Sequence, residues 1–129
     1  MDYTLGQEQL EEIESILTTD LVESGVHSVL LIDMAGNIIA KADNGDCDHD
    51  IYSLAALASA NFAAVDTMAK IVGEDEFSLL FHKGEKESIH FSKVQSEFLL
   101  ISIFGKNVSL GLLRLKVAEC IEKIKQVWK

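Results

Sequence analysis

The sequence predicts an α/β (α+β) domain whose sheet is covered by helices on both faces. Three observations carry this reading. Hydrophobic spacing switches between helical and strand periods in the order helix, two strands, helix, three strands, helix. Residues 98–104, FLLISIF, are apolar at both parities, as in a strand with no solvent face. Residues 51–72, IYSLAALASANFAAVDTMAKIV, form a long helix that is apolar on two sides rather than one.

The first helix is expected over residues 7–22. Leu10, Ile13, Leu17 and Leu21 share one face, while Glu8, Glu11, Glu12 and Ser15 turn to water. Ser24-Gly25 ends it. Residues 26–33, VHSVLLID, are rich in β-branched and aliphatic side chains and read as a strand. Met34-Ala35-Gly36-Asn37 then reverses the chain: the Asp33 carboxylate can accept from backbone amides ahead of it, and Gly36 can take a positive φ. Residues 38–42 return as the partner of a hairpin.

Residues 42–50, ADNGDCDHD, place Asp46, Asp48 and Asp50 in alternation around Cys47 and His49. A calcium loop needs Gly at its sixth position and Glu at its twelfth, where this chain has Ile51 and Leu57. Cys47 and His49 alone are too few ligands for zinc. The loop is therefore read as a helix start, with Asp48 or Asp50 as cap and the acids favouring the positive helix end. No metal and no cofactor is expected.

Wound at 100° per residue, the long helix gathers Leu54, Leu57, Ala58, Phe62, Val65, Met68 and Val72 on one broad stripe, expected to lie on the sheet. The other side carries Ala56, Ala60 and Ala64 at i, i+4 and i+8, flanked by Ser59, Ala63 and Thr67, with charge only from Asp66 and Lys70. Small residues four apart make a smooth ridge that admits another backbone closely. This side is expected to meet a second protein surface.

Residues 77–82 and 88–94 read as a hairpin. Pairing Phe81 with Ile89 and Leu79 with Phe91 sets Lys83 opposite Glu87 and implies a three-residue loop, Gly84-Glu85-Lys86. Gln95-Ser96 turns the chain into 98–104, and Gly105 ends that strand. Residues 109–128 form the last helix, with Leu110, Leu113, Val117, Cys120, Ile121 and Ile124 on one face and a Glu119–Lys123 pair supporting it.

With 129 residues, 48% hydrophobic and 25% charged, the chain suits one globular domain, 1–129. It has no proline, no repeat and no apolar run of membrane-spanning length, so no membrane insertion is expected. Cys47 and Cys120 match no metal or redox spacing, which suits a reducing, cytoplasmic setting. A net charge of −10 repels phosphate backbones and argues against nucleic acid. Acids crowd residues 1–50 and bases residues 106–129, a distribution that serves solubility or a protein partner.

The Asp33-Met34-Ala35-Gly36-Asn37-Ile38-Ile39 turn, the alanine-rich helix from Ile51 and the closing Gly111-Leu112-Leu113-Arg114 helix resemble a Roadblock-type domain. That family includes the Roadblock dynein light chains and the Mgl-type bacterial regulators of a small Ras-like GTPase. The resemblance spans nearly the whole chain and implies a three-layer α-β-α fold. Its five-stranded antiparallel sheet carries the middle helix on one face and the terminal helices on the other. It also implies a homodimer in which middle helices pack together and edge strands join.

No catalytic residue is expected. The chain lacks phosphate-cradling glycine loops and a nucleophile elbow. Of His27, His49, His82 and His90, three fall in predicted strands, where partial exposure is the ordinary condition. Two functions follow: a non-enzymatic homodimeric regulator of a small Ras-like GTPase, or a dimeric scaffold tethering motor, cytoskeletal or signalling proteins without touching a nucleotide. A small-ligand sensor has less support, since every inward position looks filled by a large apolar group. The residues assigned to the dimer and partner interface are Tyr52, Ala56, Ser59, Ala60, Ala63, Ala64 and Thr67. The single arginine, Arg114, sits in the first turns of the last helix, a poor place for an arginine finger.

Overall fold

The computed structural model describes residues 5–46, 48–77 and 79–128. The readings placed on Cys47, and on Ser78 within the predicted strand 77–82, lie outside the described residues. The elements are α1 (Gln7–Asp20), a 3-10 turn (Val22–Ser24), β1 (Ser28–Asp33), β2 (Ile38–Asp43), α2 (Ile51–Ile71), β3 (Leu80–Lys83), β4 (Ser88–Val94), β5 (Phe98–Phe104) and α3 (Leu110–Val127). The five strands form one antiparallel sheet in the order β2-β1-β5-β4-β3.

All seven residues of β5 are buried, as its unbroken apolar run requires. Its even-numbered residues join Val29, Leu31 and Val94 beneath α1 and α3, where Ile13, Leu17, Leu113, Val117 and Ile124 close the larger core. Its odd-numbered Leu99 and Ile101 join Leu30, Ile32 and Phe91 beneath α2. The three-layer order and the helix assignments expected from sequence are thus present.

Local chemistry sets the boundaries. Gly25 adopts φ 112° and stops the first helical segment. Ser109 caps α3 by accepting from the Leu112 N–H at 3.2 Å. Asp50 caps α2, accepting from the Ser53 N–H at 3.1 Å and the Ser53 hydroxyl at 2.7 Å. Lys123 is attracted by Glu119 on its own helix, as expected, but its close ion pair lies elsewhere. It reaches α1, where its ammonium stands 3.0 Å from the Asp20 carboxylate and ties the terminal helices together.

The β3–β4 hairpin departs from the expected register. Leu80 stands opposite Phe91, Phe81 opposite His90, His82 opposite Ile89 and Lys83 opposite Ser88. The loop has four residues and is closed by the Gly84 N–H donating to the Glu87 carbonyl at 3.0 Å. Apolar residues occupy both parities of these strands, so pattern alone leaves two registers open. Coverage of both faces decides: Phe81 turns toward the α1/α3 side and stacks on Phe104, centroids 5.9 Å apart. The strand starts at Leu80, three residues later than expected. Among the described residues, no helix is long and apolar enough to cross a membrane.

The β1–β2 turn behaves as its residues dictate. Asp33 accepts from the N–H groups of Ala35 and Asn37 at 3.0 and 2.9 Å and from the Asn37 amide at 3.0 Å. Partial burial opposes its charge, but the Asn37 side chain and the backbone N–H groups outweigh it and lower the pKa below 3.8. A lowered carboxylate pKa contributes stability that is complete above the unfolded value and drains away as pH falls through the folded one. Asp33→Asn should therefore destabilise the protein at pH 7 by about 1 kcal/mol, the scale of the hydrogen bonds weakened. In urea titrations the gap between wild type and variant should close as pH falls from about 4 to about 2. A gap independent of pH would show that the charge contributes nothing.

Candidate functional site

Helix α2 turns three alanines and one phenylalanine inward. Ala55, Ala58, Phe62 and Ala69 are the buried positions, and Leu54 and Val65 flank them half-buried. Of the stripe expected to lie on the sheet, Leu57, Met68 and Val72 instead face out, at 69%, 52% and 67% exposure. The helix is rotated by roughly 60° from the face its large residues suggest, at 100° per residue. The sheet supplies the reason. Leu30, Ile32, Phe91, Leu99 and Ile101 already fill the space beneath α2, so close packing there calls for methyl groups and one ring.

The outer face is consequently apolar and wide. Ala56, Ala60, Ala63, Ala64 and Thr67 are exposed on it, and Tyr52, Leu57, Met68 and Ile71 stand around them. Tyr52 and Ile71 are 70% and 78% exposed. Charge is confined to the margins: Lys70 pairs with Asp66 at 3.3 Å, and the Lys41 ammonium stands 6.0 Å from the Tyr52 ring. The two hydroxyls of the face bond their own helix. Ser59 donates to the Ala56 carbonyl at 2.9 Å and Thr67 to the Ala63 carbonyl at 3.0 Å. What the helix shows to its surroundings is almost entirely hydrocarbon.

Ser59 sits at the edge of this face, half-buried under the β1–β2 turn. A Cβ on Gly36 would stand 3.1 Å from the Ala56 Cα and 3.2 Å from the Ser59 Oγ. Gly36 has φ 89°, so both its conformation and its contact favour glycine. The turn thereby fixes where the first half of α2 lies. The seven residues assigned to the interface fall on one side of one helix, with Ser59 at its margin.

Two structural features escaped the sequence reading. One is the large-residue contribution of Leu57, Met68 and Ile71 to the outer face; the spacing of Ala55, Ala58, Phe62 and Ala69 by three, four and seven was the signal. The other is His90, expected to be partly exposed but only 5% exposed beneath α3. Arg114 is exposed on α3, which lies on the opposite side of the sheet from α2.

The profile of the Roadblock/LC7 domain matches residues 16–104. The chain belongs to the Roadblock/LC7 family. Among solved structures, MglB of Myxococcus xanthus is 32% identical, with a TM-score of 0.83 over 96% of this chain and 92% of that one. The gliding protein MglB of Thermus thermophilus is 26% identical, with a TM-score of 0.87 over 98% and 96% of the two chains. A further MglB structure, described as having a tetrameric arrangement, is 26% identical, with a TM-score of 0.89 over 98% and 95%. Acanthamoeba castellanii profilin II, at 17% identity and a TM-score of 0.60 over 88% and 97%, shares the fold alone.

The inward alanines of α2 make a direct prediction. Ala55→Leu, harmless if leucines faced the sheet, should overpack the layer and destabilise by about 1–3 kcal/mol in urea. Phe62→Ala should cost about 3–5 kcal/mol. A neutral Ala55→Leu would mean that the helix is rotated toward its leucine stripe.

Proposed function

We propose that this protein is a non-enzymatic, homodimeric regulator that binds a small Ras-like GTPase and modulates its nucleotide cycle without an arginine finger. The observation that carries the reading is the unpartnered hydrocarbon face of α2. Contiguous exposed apolar surface marks interaction sites, and a row of alanines suits a close helix–helix approach. Tyr52, Ala56, Ser59, Ala60, Ala63, Ala64 and Thr67 form the dimer and partner surface, with Leu57, Met68 and Ile71 extending it. Residues 1–129 act as one domain in the cytoplasm. The GTPase as partner rests on family analogy, supported by the likeness to MglB structures.

The absence of a finger is argued from position. A finger must reach the γ-phosphate from an exposed, mobile place. Arg114 is held in a rigid helix across the sheet from α2 and lies off the exposed alanine face. Lysine lacks the planar fork that fits phosphate oxygens. Any effect on hydrolysis then comes from binding one conformation of the GTPase and ordering that protein's own catalytic residues.

Light scattering on the wild type should give twice the 14.2 kDa chain mass. Ala60→Arg should yield monomer or aggregate, because a long charged side chain cannot enter a close helix contact. A wild-type monomer at micromolar concentration would sink the dimer.

For the GTPase, affinity should differ between its GDP-loaded and GTP-analogue-loaded forms, and Arg114→Ala should leave stimulated hydrolysis intact. Equal affinity for both forms would leave the tethering scaffold instead. Loss of stimulation in Arg114→Ala with binding retained would restore the finger.

A further inference from the structure

The sheet leaves an opening where β3 begins late. Leu80 pairs with Phe91, so among the described residues no strand covers the outer edge of β4 from Ser92 to Val94. A pocket of about 370 Å³ lies at this edge, between α3 and the second half of α2. Phe62, Val117 and Ile121 give it apolar walls. The sequence suggested that every inward position was filled; the late start of β3 is what opens this space.

Its charges are nearly balanced. Asp66 is matched by Lys70 at 3.3 Å, Glu76 by Lys93 at 3.3 Å and Glu122 by Lys125 at 3.6 Å. Arg114, also lining the pocket, makes no ion pair among the described residues. One guanidinium charge is thus left over.

Beside it, His90 lines the pocket at 5% exposure, and its Nδ1 has no hydrogen-bond partner among the described residues. Ser102, directly across the ladder and fully buried, leaves its Oγ equally unpartnered. Burial, and then the charge of Arg114, lowers the His90 pKa to about 4, so at neutral pH the ring offers one N–H and one lone pair. Buried polar groups left unpaired side by side are uncommon and call for an explanation.

We propose that this pocket binds a small organic monocarboxylate with an apolar body. The planar fork of Arg114 takes the carboxylate in bidentate fashion, and His90 supplies a further N–H. Phe62, Val117 and Ile121 take the hydrocarbon. The single leftover charge selects a monoanion: a dianion would meet Asp66, Glu76 and Glu122 with no second unpaired cation in the lining among the described residues. The volume falls within the range of small-molecule sites. Because α2 and α3 each form one wall, an occupant bridges the helix that carries the outer apolar face and the helix behind the sheet. The site does not depend on the GTPase reading.

The test is a titration of the isotope-labelled full chain, followed by amide shifts, with 4-phenylbutyrate, 4-phenylbutan-1-ol and 4-phenylbutylammonium. The carboxylate should cause saturable shifts at Ser92, Lys93 and Ala118. The alcohol should bind about tenfold more weakly, the scale of one charge-assisted contact, and the ammonium should not saturate. Arg114→Met, an exposed and fold-neutral change, should weaken the carboxylate about tenfold, with Arg114→Lys in between because it keeps the charge and loses the fork. Equal binding of alcohol and carboxylate, unchanged binding in Arg114→Met, or no saturable shift at about 10 mM, where the free energy of binding becomes marginal, would each overturn the proposal. None of these results bears on dimer mass or GTPase affinity.

Discussion

A strand buried on both faces forces the rest of this architecture. Every side chain of β5 is buried, so the sheet must be roofed twice, and the two roofs are made differently. Two helices share the work on one side, tied by the Asp20–Lys123 pair, and meet the sheet through leucine, isoleucine and valine. On the other side α2 works alone over side chains that are already large, and it fits by offering alanine. Leu57, Met68 and Ile71 are then left on the outside. The exposed hydrocarbon face follows from how the inner one is packed.

The element order was legible because each element carried its own chemistry: the Asp33 turn, the Asp50 and Ser109 caps, Gly25, and the period switches between them. The tilt of α2 about its axis was not. Periodicity weighs large residues as the buried ones, and alanine is silent because it is equally at home in a core and on a surface. The β3–β4 register failed for a related reason. Leu80 and Phe81 give both parities an apolar side chain, so alternation has no preferred frame, and only the second roof tells which face Phe81 seeks.

His90 shows the same limit at a single residue. Between Ile89 and Phe91 it reads as the solvent side of a half-buried strand. That side lies under α3, a fact carried by residues more than twenty positions away. The exposed face of α2 is legible as a ridge of alanines, while its breadth is not, since spacing assigns Leu57 and Met68 to the core. The edge pocket was invisible because it comes from where pairing starts rather than from any residue's type.

The inward-turned hydroxyls of Ser59 and Thr67 have a consequence for recognition. With those two donors turned to their own helix, this face of α2 keeps few polar groups, the exposed Tyr52 phenol among them. For the interface proposed above, discrimination is then geometric, set by the alanine ridge and the bulk of the side chains that flank it. Such a surface forgives the exchange of serine for alanine and punishes a change of size, so its selectivity is that of a mould rather than a code.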